Sequence, residues 1–185
     1  MGISVTPVFE IYYKSKGKDS LVVNEISKHV NDWLKREPNS EVRLFIFHGD
    51  SKDDDTSITR LLYNKLHPSS RVKIVPYDPN PQKMITQIGQ CKYFIGMKYH
   101  SLVFAYVNRI PLLVIKYHPK CHAFAEEIGL KKNAILSIEE ILDGRFGKHF
   151  NNLLEYPNNF IPILPLDIAR KRAKNGLLDA KAWRN

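Results

Sequence analysis

One stretch of the chain, residues 94–117, reads FIGMKYHSLVFAYVNRIPLLVIKY and constrains the fold more than any other. It begins with an apolar run typical of a strand, passes through the polar residues 98–101 into an apolar helical segment, and ends in a second apolar strand over 112–115. Strand, helix and strand in this order form a βαβ unit, whose two strands are parallel. The polar residues therefore lie at the carboxyl edge of a sheet, where α/β proteins bind anionic small molecules.

The rest of the chain repeats this alternation of strand-like and helical segments. Apolar runs typical of strands lie at 3–5, 42–47, 72–75, 93–97, 112–115 and 134–136. Apolar residues recur at helical spacing over 20–36, 58–66, 79–87, 102–107 and 119–128. The alternation predicts an α/β fold, a doubly wound and mostly parallel Rossmann-like sheet of about six strands with helices on both faces. In the common strand order 3-2-1-4-5-6, a crevice opens between the ends of strands one and four.

A change in composition after Gly144 divides the chain into two parts. Asn, Pro and aromatic residues become frequent over 156–165, and a basic helix is predicted over 167–174. We predict a Rossmann-like donor-side domain over 1–145. Residues 146–185 are predicted to be a crossing segment and a helix that pack on the same domain, because this part is too short to hold a core of its own.

Composition and charge exclude several classes of protein. With 43% hydrophobic and 25% charged residues, the chain resembles a soluble globular protein, and no apolar run approaches the ~20 residues that span a bilayer. The N-terminus lacks the layout of a signal peptide, so we expect a cytoplasmic location, with reduced thiols at Cys91 and Cys121. The net charge of +9 comes without a nucleic-acid recognition motif, so no nucleic acid is expected as a partner. A basic groove, or association with the inner face of an anionic membrane, is compatible with this charge.

Residues from three strand ends are expected to meet at the crevice. Thr6 and Pro7 follow the first strand and face residues 98–101 across it. The end of the fifth strand adds Lys116, Tyr117, His118 and Lys120. Two histidines and three lysines thus converge in one neighbourhood. Each also has a structural interpretation, with His100 as a helix cap or a partner of a strand and the lysines as solvated residues at element ends.

The acidic and histidine clusters are not interpreted as metal sites. The aspartates at 53–55 precede an amphipathic helix, where they are expected to cap its N-terminus and complement its dipole. His118 and His122 are four residues apart, but Pro119 between them disfavours metal ligation. His48, at the end of the second strand, is also a candidate for the site, but a structural role is favoured. We predict no metal ion and no cofactor.

The motifs around the βαβ unit resemble those of the polysaccharide pyruvyl transferase family. GMKYHSLVFA, followed by IPLLVIKYHPKCHAFAEEIGL, is similar to the series G-M-R-x-H-[SA]-L-x-F-A, then G-V-P, I-x-Y-x-x-K and F-x-x-x-L-G-L, of the family's C-terminal half. The opening GISVTP resembles G-I-S-V-R-P, so the matching segments span most of residues 2–130. Thr6 and Lys98 stand where the family has Arg, and His118 stands where an acidic residue is common.

The resemblance implies the second Rossmann-like half of a GT-B enzyme, which transfers a pyruvyl group from phosphoenolpyruvate to a glycan sugar as a ketal. His100 matches the family's motif histidine and is the implied catalytic acid, a task suited to a side chain that titrates near neutrality. The implied donor-binding residues are Lys98, Ser101, Tyr99, Thr6, Lys116, Lys120 and His118. Implied partners are phosphoenolpyruvate or another anionic donor, a saccharide acceptor, and a first half from an N-terminal domain or a partner chain.

Two other functions remain open on the sequence alone. In a GT-B glycosyltransferase, the same helix N-terminus would face the diphosphate of a nucleotide-sugar. A catalytically silent binding or assembly module would be consistent with the missing first half and with Thr6. We favour a pyruvyl-transferase-like enzyme involved in cell-envelope polysaccharide synthesis, and we expect the isolated half to lack full activity.

Overall fold

The computed structural model describes residues 1–15, 17–48 and 55–182, and the side chains among them up to residue 175. The strands are β1 (Gly2–Ser4), β2 (Val42–Phe45), β3 (Val72–Val75), β4 (Phe94–Gly96), β5 (Leu112–Lys116) and β6 (Ile135–Ser137). They form one sheet in the order β3-β2-β1-β4-β5-β6, and every neighbouring pair is parallel. The predicted α/β fold and its strand order are both confirmed.

Helices surround the sheet and provide the crossover connections. Between the strands lie α1 (Val8–Tyr12), α2 (Lys18–Arg36), α3 (Thr56–Lys65), α4 (Pro81–Gly89), α5 (Tyr99–Val107) and α6 (Pro119–Glu127). After β6 come α7 (Ile138–Leu142), α8 (Phe146–Glu155) and α9 (Leu166–Ala182). Because the connections run on from the carboxyl ends of the strands, the loops that carry the predicted site residues share one edge of the sheet.

The core lies between the sheet and its helices because the strands are apolar on both faces. All three residues of β1 and of β4 are buried, and so are four of the five in β5. Helix α2 buries Val23, Ile26 and Val30, which recur at the spacing of one helix face. Burial of each such side chain stabilises the folded state by roughly 1.5–3 kcal/mol. The strand ends that carry the predicted site residues are therefore part of a packed core.

A short helix, α1, occupies the segment after β1 for which the sequence indicates only a polar connection. The backbone N–H groups of Phe9 and Glu10 donate to the carboxylate of Asp19, at 3.1 and 2.9 Å. Asp19 lies in the first turn of α2, which begins after Gly17 in a left-handed conformation with φ of 90°. The helix is therefore stabilised by a tertiary contact that no hydrophobic pattern reveals.

The C-terminal part contains more helix than the sequence pattern predicts. Helix α8 and the turn after it bury four large side chains in the same core as the sheet, namely Phe146, Phe150, Leu153 and Phe160. Helix α7 begins with a capping box, in which Ser137 and Glu140 each accept the other's backbone N–H. The basic helix predicted over 167–174 is part of α9.

Candidate functional site

The crevice expected from the strand order lies beyond the carboxyl ends of β1 and β4. These two strands are hydrogen-bonded neighbours, and Met97 N still donates to Ser4 O, at 3.1 Å, where they end. The chain order reverses between them, so their connections diverge and leave a gap. Thr6 follows β1 and residues 98–101 follow β4, which brings these predicted site residues to one place on the sheet edge.

A buried ion pair adjoins the crevice. The Nζ atom of Lys98 lies 3.1 Å from Oδ1 of Asp55, and the two side chains are only 11% and 0% exposed. Oδ2 of Asp55 accepts hydrogen bonds from the backbone N–H groups of Phe47 and His48, at 3.3 and 3.2 Å. Thr6 lies close enough to this carboxylate to lower its pKa. Burial raises the pKa of Asp55, and this effect outweighs the opposing influence of Lys98. One carboxylate thus links the ends of β1, β2 and β4.

For Asp55, this ion pair corrects the expectation that the aspartates at 53–55 cap α3. Asp55 is the residue at the N-terminal cap position, yet its side chain makes no capping hydrogen bond. The carboxylate instead contacts Lys98 and the amides that follow β2. Residues 53 and 54 lie outside the described residues. Lys98 therefore shares its charge with an acidic partner that the sequence pattern does not reveal.

His100 lies in the first turn of α5 and lines a cavity beside the crevice. Its pKa is lowered, first by partial desolvation of the ring and then by electrostatic interactions with Lys120, His48 and Lys98. The neutral imidazole is therefore favoured at neutral pH when the site is empty of ligand. A titratable group that several cations influence at a sheet edge is a candidate for acid–base chemistry.

Lys120, in the first turn of α6, extends over the ring of Tyr99. Its Nζ atom is 5.7 Å from the ring centroid, within the range of a cation–π interaction. Tyr99 packs edge-on against Phe124 and against His100, with centroid distances of 5.3 and 5.9 Å. The structure thus brings Lys120, Tyr99 and His100 together through the contact between α5 and α6.

Ser101 and Thr6 are buried, with relative exposures of 0% and 1%. The Ser101 hydroxyl donates to Lys98 O at 2.6 Å and lies 2.8 Å from the hydroxyl of Ser4. These bonds attach the end of β1 to the first turn of α5. The backbone N–H of Leu102 also donates to Lys98 O, at 3.2 Å, so this amide is already engaged within the helix.

His118 is the N-terminal cap of α6. Its Nδ1 atom accepts the backbone N–H of Lys120 at 3.2 Å, which requires the ring proton to be on Nε2. The ring also packs against Tyr117 and Tyr12, with centroid distances of 6.1 and 6.3 Å. Lys116 ends β5 and is partly buried. Both predicted residues lie at the strand end next to β4, but His118 has a structural role there.

Two further candidate functional residues lie beside His100: His48, for which the sequence favoured a structural role over a place in the site, and Tyr77, which the sequence analysis did not identify. A cavity of about 200 Å³ is lined in part by His48, Tyr77 and His100. His48 and Tyr77 follow β2 and β3, and this position at the carboxyl edge is the signal that identifies them. A larger cavity of about 630 Å³ lies at the opposite edge of the sheet, where it is lined in part by Met1 and Arg43, and it contains none of the predicted site residues.

The described residues form neither a metal-binding cluster nor a membrane-spanning helix. Within residues 1–15, 17–48 and 55–182, no group of three or more His, Cys, Asp or Glu residues is placed to hold a metal ion. Over the same ranges, no helix is both long and apolar enough to cross a membrane.

Cys91 and Cys121 are buried free thiols, and burial raises the pKa of both, to about 11 for Cys121.

The parallel sheet and the crevice at its reversal point define this chain as a Rossmann-like α/β domain with a cationic sheet edge. The model of the family "Polysaccharide pyruvyl transferase" matches residues 5–119, more than half of the 185 residues. The chain therefore belongs to the polysaccharide pyruvyl transferase family, as its motifs predict. No curated protein and no solved structure matches it.

Membership of this family identifies a pyruvyl-transferase-like domain of the kind that acts on polysaccharides, for which an anionic donor and a polysaccharide acceptor are implied. The matched range begins just after β1 and ends at the first residue of α6. It therefore contains Thr6, Lys98 and His100, whereas Lys120 lies immediately beyond it.

Proposed function

We propose that this domain binds phosphoenolpyruvate at the crevice between β1 and β4 and transfers its pyruvyl group to a polysaccharide sugar as a ketal. The observation that carries the proposal is the position of His100, in the first turn of α5 and close enough to Lys98 and Lys120 for their charges to lower its pKa. A titratable group among cations suits a donor that carries a phosphate and a carboxylate and must receive a proton. The family match supports the same type of transfer.

Ketal formation requires one protonation and two deprotonations. Protonation of the methylene carbon gives an oxocarbenium-like centre, to which one sugar hydroxyl adds as it loses its proton. Phosphate then leaves with the electrons of its C–O bond, and a second hydroxyl adds to the same carbon as it loses its proton. One of the two released protons balances the proton now in the methyl group, and the other leaves on phosphate. The reaction is therefore balanced without an oxidant or a reductant.

We assign the protonation of the methylene carbon to His100. Desolvation and the positive charge of Lys120 favour its neutral form in the free site. The phosphate and carboxylate of a bound donor bring negative charge beside the ring, which raises the imidazole pKa and favours the protonated form. Donor binding thus favours the protonated form of His100, which then supplies the proton to the methylene carbon.

The positive charge that meets the donor comes from three lysines and the first turn of α5. Lys98 is closest to the helix N-terminus, but its charge is shared with Asp55. Lys120, held over the Tyr99 ring, therefore contributes more of the attraction than Lys98, and Lys116 adds to it from the end of β5. The amides at the start of α5 supply further partial positive charge.

Three other predicted site residues support the donor site through their structural contacts. Thr6 lies beside the carboxylate of Asp55, Ser101 bonds to Ser4, and His118 caps α6. Their expected effect on the donor is therefore positional, because each side chain lies against other parts of the fold. Each fixes one strand end relative to the first turn of α5 or α6.

The full enzyme is proposed to have a GT-B arrangement, in which a second Rossmann-like half, from a longer protein or a partner chain, forms the opposite wall of the cleft and contacts the rest of the polysaccharide acceptor. Residues 1–145 would form the donor-side domain, with 146–185 packed on it. Arg170, Lys171, Arg172 and Lys174 of α9 are exposed. Such a basic surface suits contact with the anionic inner face of the cytoplasmic membrane.

Thermal unfolding in the presence of phosphoenolpyruvate, inorganic phosphate or UDP-glucose tests the identity of the donor. A ligand at 100 times its Kd adds about 2.7 kcal/mol to the free energy of unfolding, and we expect phosphoenolpyruvate to reach this effect at the lowest concentration. Stabilisation by UDP-glucose alone would instead indicate a nucleotide-sugar site. No response to any of the three would contradict an anionic donor.

A matched pair of variants tests the role of His100. His100→Gln is expected to retain most of the phosphoenolpyruvate binding but to lose pyruvyl transfer, because glutamine cannot donate the required proton. His67→Gln replaces an exposed histidine before β3, at the other edge of the sheet, and is expected to keep both. Transfer that persists in His100→Gln would assign the acid to another residue.

A further inference from the structure

The cavity next to His100 has features that the donor site does not explain. Its volume is about 200 Å³, and it opens beyond the carboxyl ends of β2 and β3. The residues of its lining that matter for recognition are Phe47, His48, Tyr77, Asp78, His100 and Phe104. Pockets for drug-sized ligands are typically ~300–1,000 Å³, so this cavity suits one small group, such as a single sugar ring.

Aromatic side chains form much of the cavity wall. Phe47 and Phe104 pack against each other with a centroid distance of 5.9 Å. Tyr77 is 47% exposed, although it is a large aromatic residue at the rim. An aromatic face packs against the C–H groups of a pyranose, while the imidazoles of His48 and His100 can exchange hydrogen bonds with its hydroxyls.

The charges around the cavity favour a neutral ligand over the anionic donor. Among its described lining residues there is no lysine or arginine, and the carboxylate of Asp78 lies 3.1 Å from the Nζ atom of Lys83, so the cavity carries no excess positive charge. The N–H of Asn80, and then Lys83, lower the pKa of Asp78, so its carboxylate is charged at neutral pH. Lys98 and Lys120 contact Asp55 and Tyr99 instead, so His100 lies between a cationic crevice and this aromatic cavity.

We infer that this cavity is the subsite for the acceptor sugar and that His48 is the base for its attacking hydroxyl. This inference rests on the proposed function. As the hydroxyl oxygen forms its bond to the central carbon of the donor, its O–H bond breaks and the proton passes to the His48 imidazole. That proton then leaves with the departing phosphate. His100 supplies the proton that completes the methyl group, and it recovers a proton from the second hydroxyl as that oxygen bonds to the same carbon.

A backbone hydrogen bond and an exposed side chain place His48 for this task. Its backbone N–H donates to Oδ2 of Asp55 at 3.2 Å, which fixes the start of the loop after β2 against the buried ion pair. Its side chain is exposed at the cavity and near enough to His100 to influence the titration of that ring. The two imidazoles thus share the site as base and acid, in line with the two kinds of proton transfer in ketal formation.

The inference is tested first by sugar binding to the whole chain. Methyl glycosides of glucose, galactose and mannose are titrated while the NMR signals of the histidine and tyrosine rings are recorded. At least one glycoside is expected to shift the signals of His48 and Tyr77 saturably, and His48→Gln and Tyr77→Ala are each expected to weaken that binding about three- to tenfold. The controls His67→Gln and Tyr156→Ala replace exposed residues of the same types outside the cavity and are expected to bind as the wild type does. If no glycoside shifts these signals, or if His48→Gln binds equally well, the subsite is wrong.

The same titrations separate this inference from the proposed function. Glycoside binding without any phosphoenolpyruvate binding would overturn the donor proposal and leave the sugar subsite standing. Phosphoenolpyruvate binding without glycoside binding would overturn only the subsite. Where the wild type transfers pyruvate, His48→Gln is expected to lower kcat by about 10²–10⁴-fold with little change in KM for phosphoenolpyruvate, and an unchanged kcat would overturn the base assignment.

Discussion

Asp55 is the residue that connects the candidate site to the core. Its fully buried carboxylate forms an ion pair with Lys98 and accepts hydrogen bonds from the backbone N–H groups of Phe47 and His48. Removal of one partner from a buried ion pair typically costs about 3–5 kcal/mol, because the other charge stays buried. Asp55→Ala is therefore expected to lower the free energy of unfolding by about this amount, as measured by urea denaturation.

A double variant isolates the contribution of the charges. Asp55→Asn combined with Lys98→Met removes both charges but keeps a side-chain oxygen for the two amides. We expect it to recover most of the stability lost in Asp55→Ala, since no buried charge then lacks its counter-charge. If the double variant were as unstable as Asp55→Ala, the ion pair would not be the cause of the loss.

His100 gives the folded protein a pH dependence below neutrality. Because its pKa is lowered, the folded state binds this proton less tightly than the unfolded chain, in which a histidine has a pKa of about 6.5. Stability is therefore expected to fall as the pH drops through about 6.5 toward the folded value, and to be unaffected by this group above that range. His100→Gln should flatten this part of the stability curve and His67→Gln should not. An unchanged slope in His100→Gln would contradict the lowered pKa.

At the residue scale, the sequence predicted where Lys98 and His100 lie in the fold, but it did not predict which side chains contact them. Lys98 and His100 directly follow a clear strand, so the periodicity alone places them at the carboxyl edge of the sheet. Asp55 lies far from Lys98 along the chain, and only the folding of β2 beside β1 brings the two together. Their ion pair is a tertiary contact, so it cannot be predicted from the local sequence around either residue.

At the scale of elements, the start of α6 depends on an unusual cap. His118 accepts the N–H of Lys120 through Nδ1, in the manner of an Asn or Asp cap. His118→Ala is expected to lower the free energy of unfolding by about 1 kcal/mol, and His118→Asn to retain most of it, because asparagine offers an equivalent acceptor. Equal losses in the two variants, measured by chemical denaturation, would exclude capping as the role of this side chain.

Elements with strong periodicity were predicted close to their observed bounds, whereas short elements were not. Helix α2 and strand β5 carry long runs of buried apolar residues, which the pattern detects. Helix α1 has five residues and depends on the carboxylate of Asp19, so the local sequence is insufficient to predict it. The apolar spacing of α8 was present in the sequence, but the Asn- and Pro-rich composition after it favoured an irregular segment.

At the scale of the whole molecule, the strand order follows from rules that act on the entire chain. Alternating strands and helices require parallel pairing, and crossover connections of one hand leave few possible orders. The order in turn fixes which loops face each other, so the crevice was predictable before any contact was known. The division of that edge into a cationic crevice and an aromatic cavity was not, because it depends on where Asp55, Lys120 and Tyr77 lie in space.

An anionic donor that binds beside His100 is proposed to make this imidazole an acid, so the pKa of the ring with and without donor is the most direct measurement. NMR titration of the whole chain should give a His100 pKa below the ordinary histidine value without ligand, because of desolvation and nearby positive charge. With saturating phosphoenolpyruvate, we expect a clear rise in this pKa, while the ring signals of the exposed His67 do not respond to the ligand. If the His100 pKa stays the same when phosphoenolpyruvate is added, donor binding does not make this residue an acid.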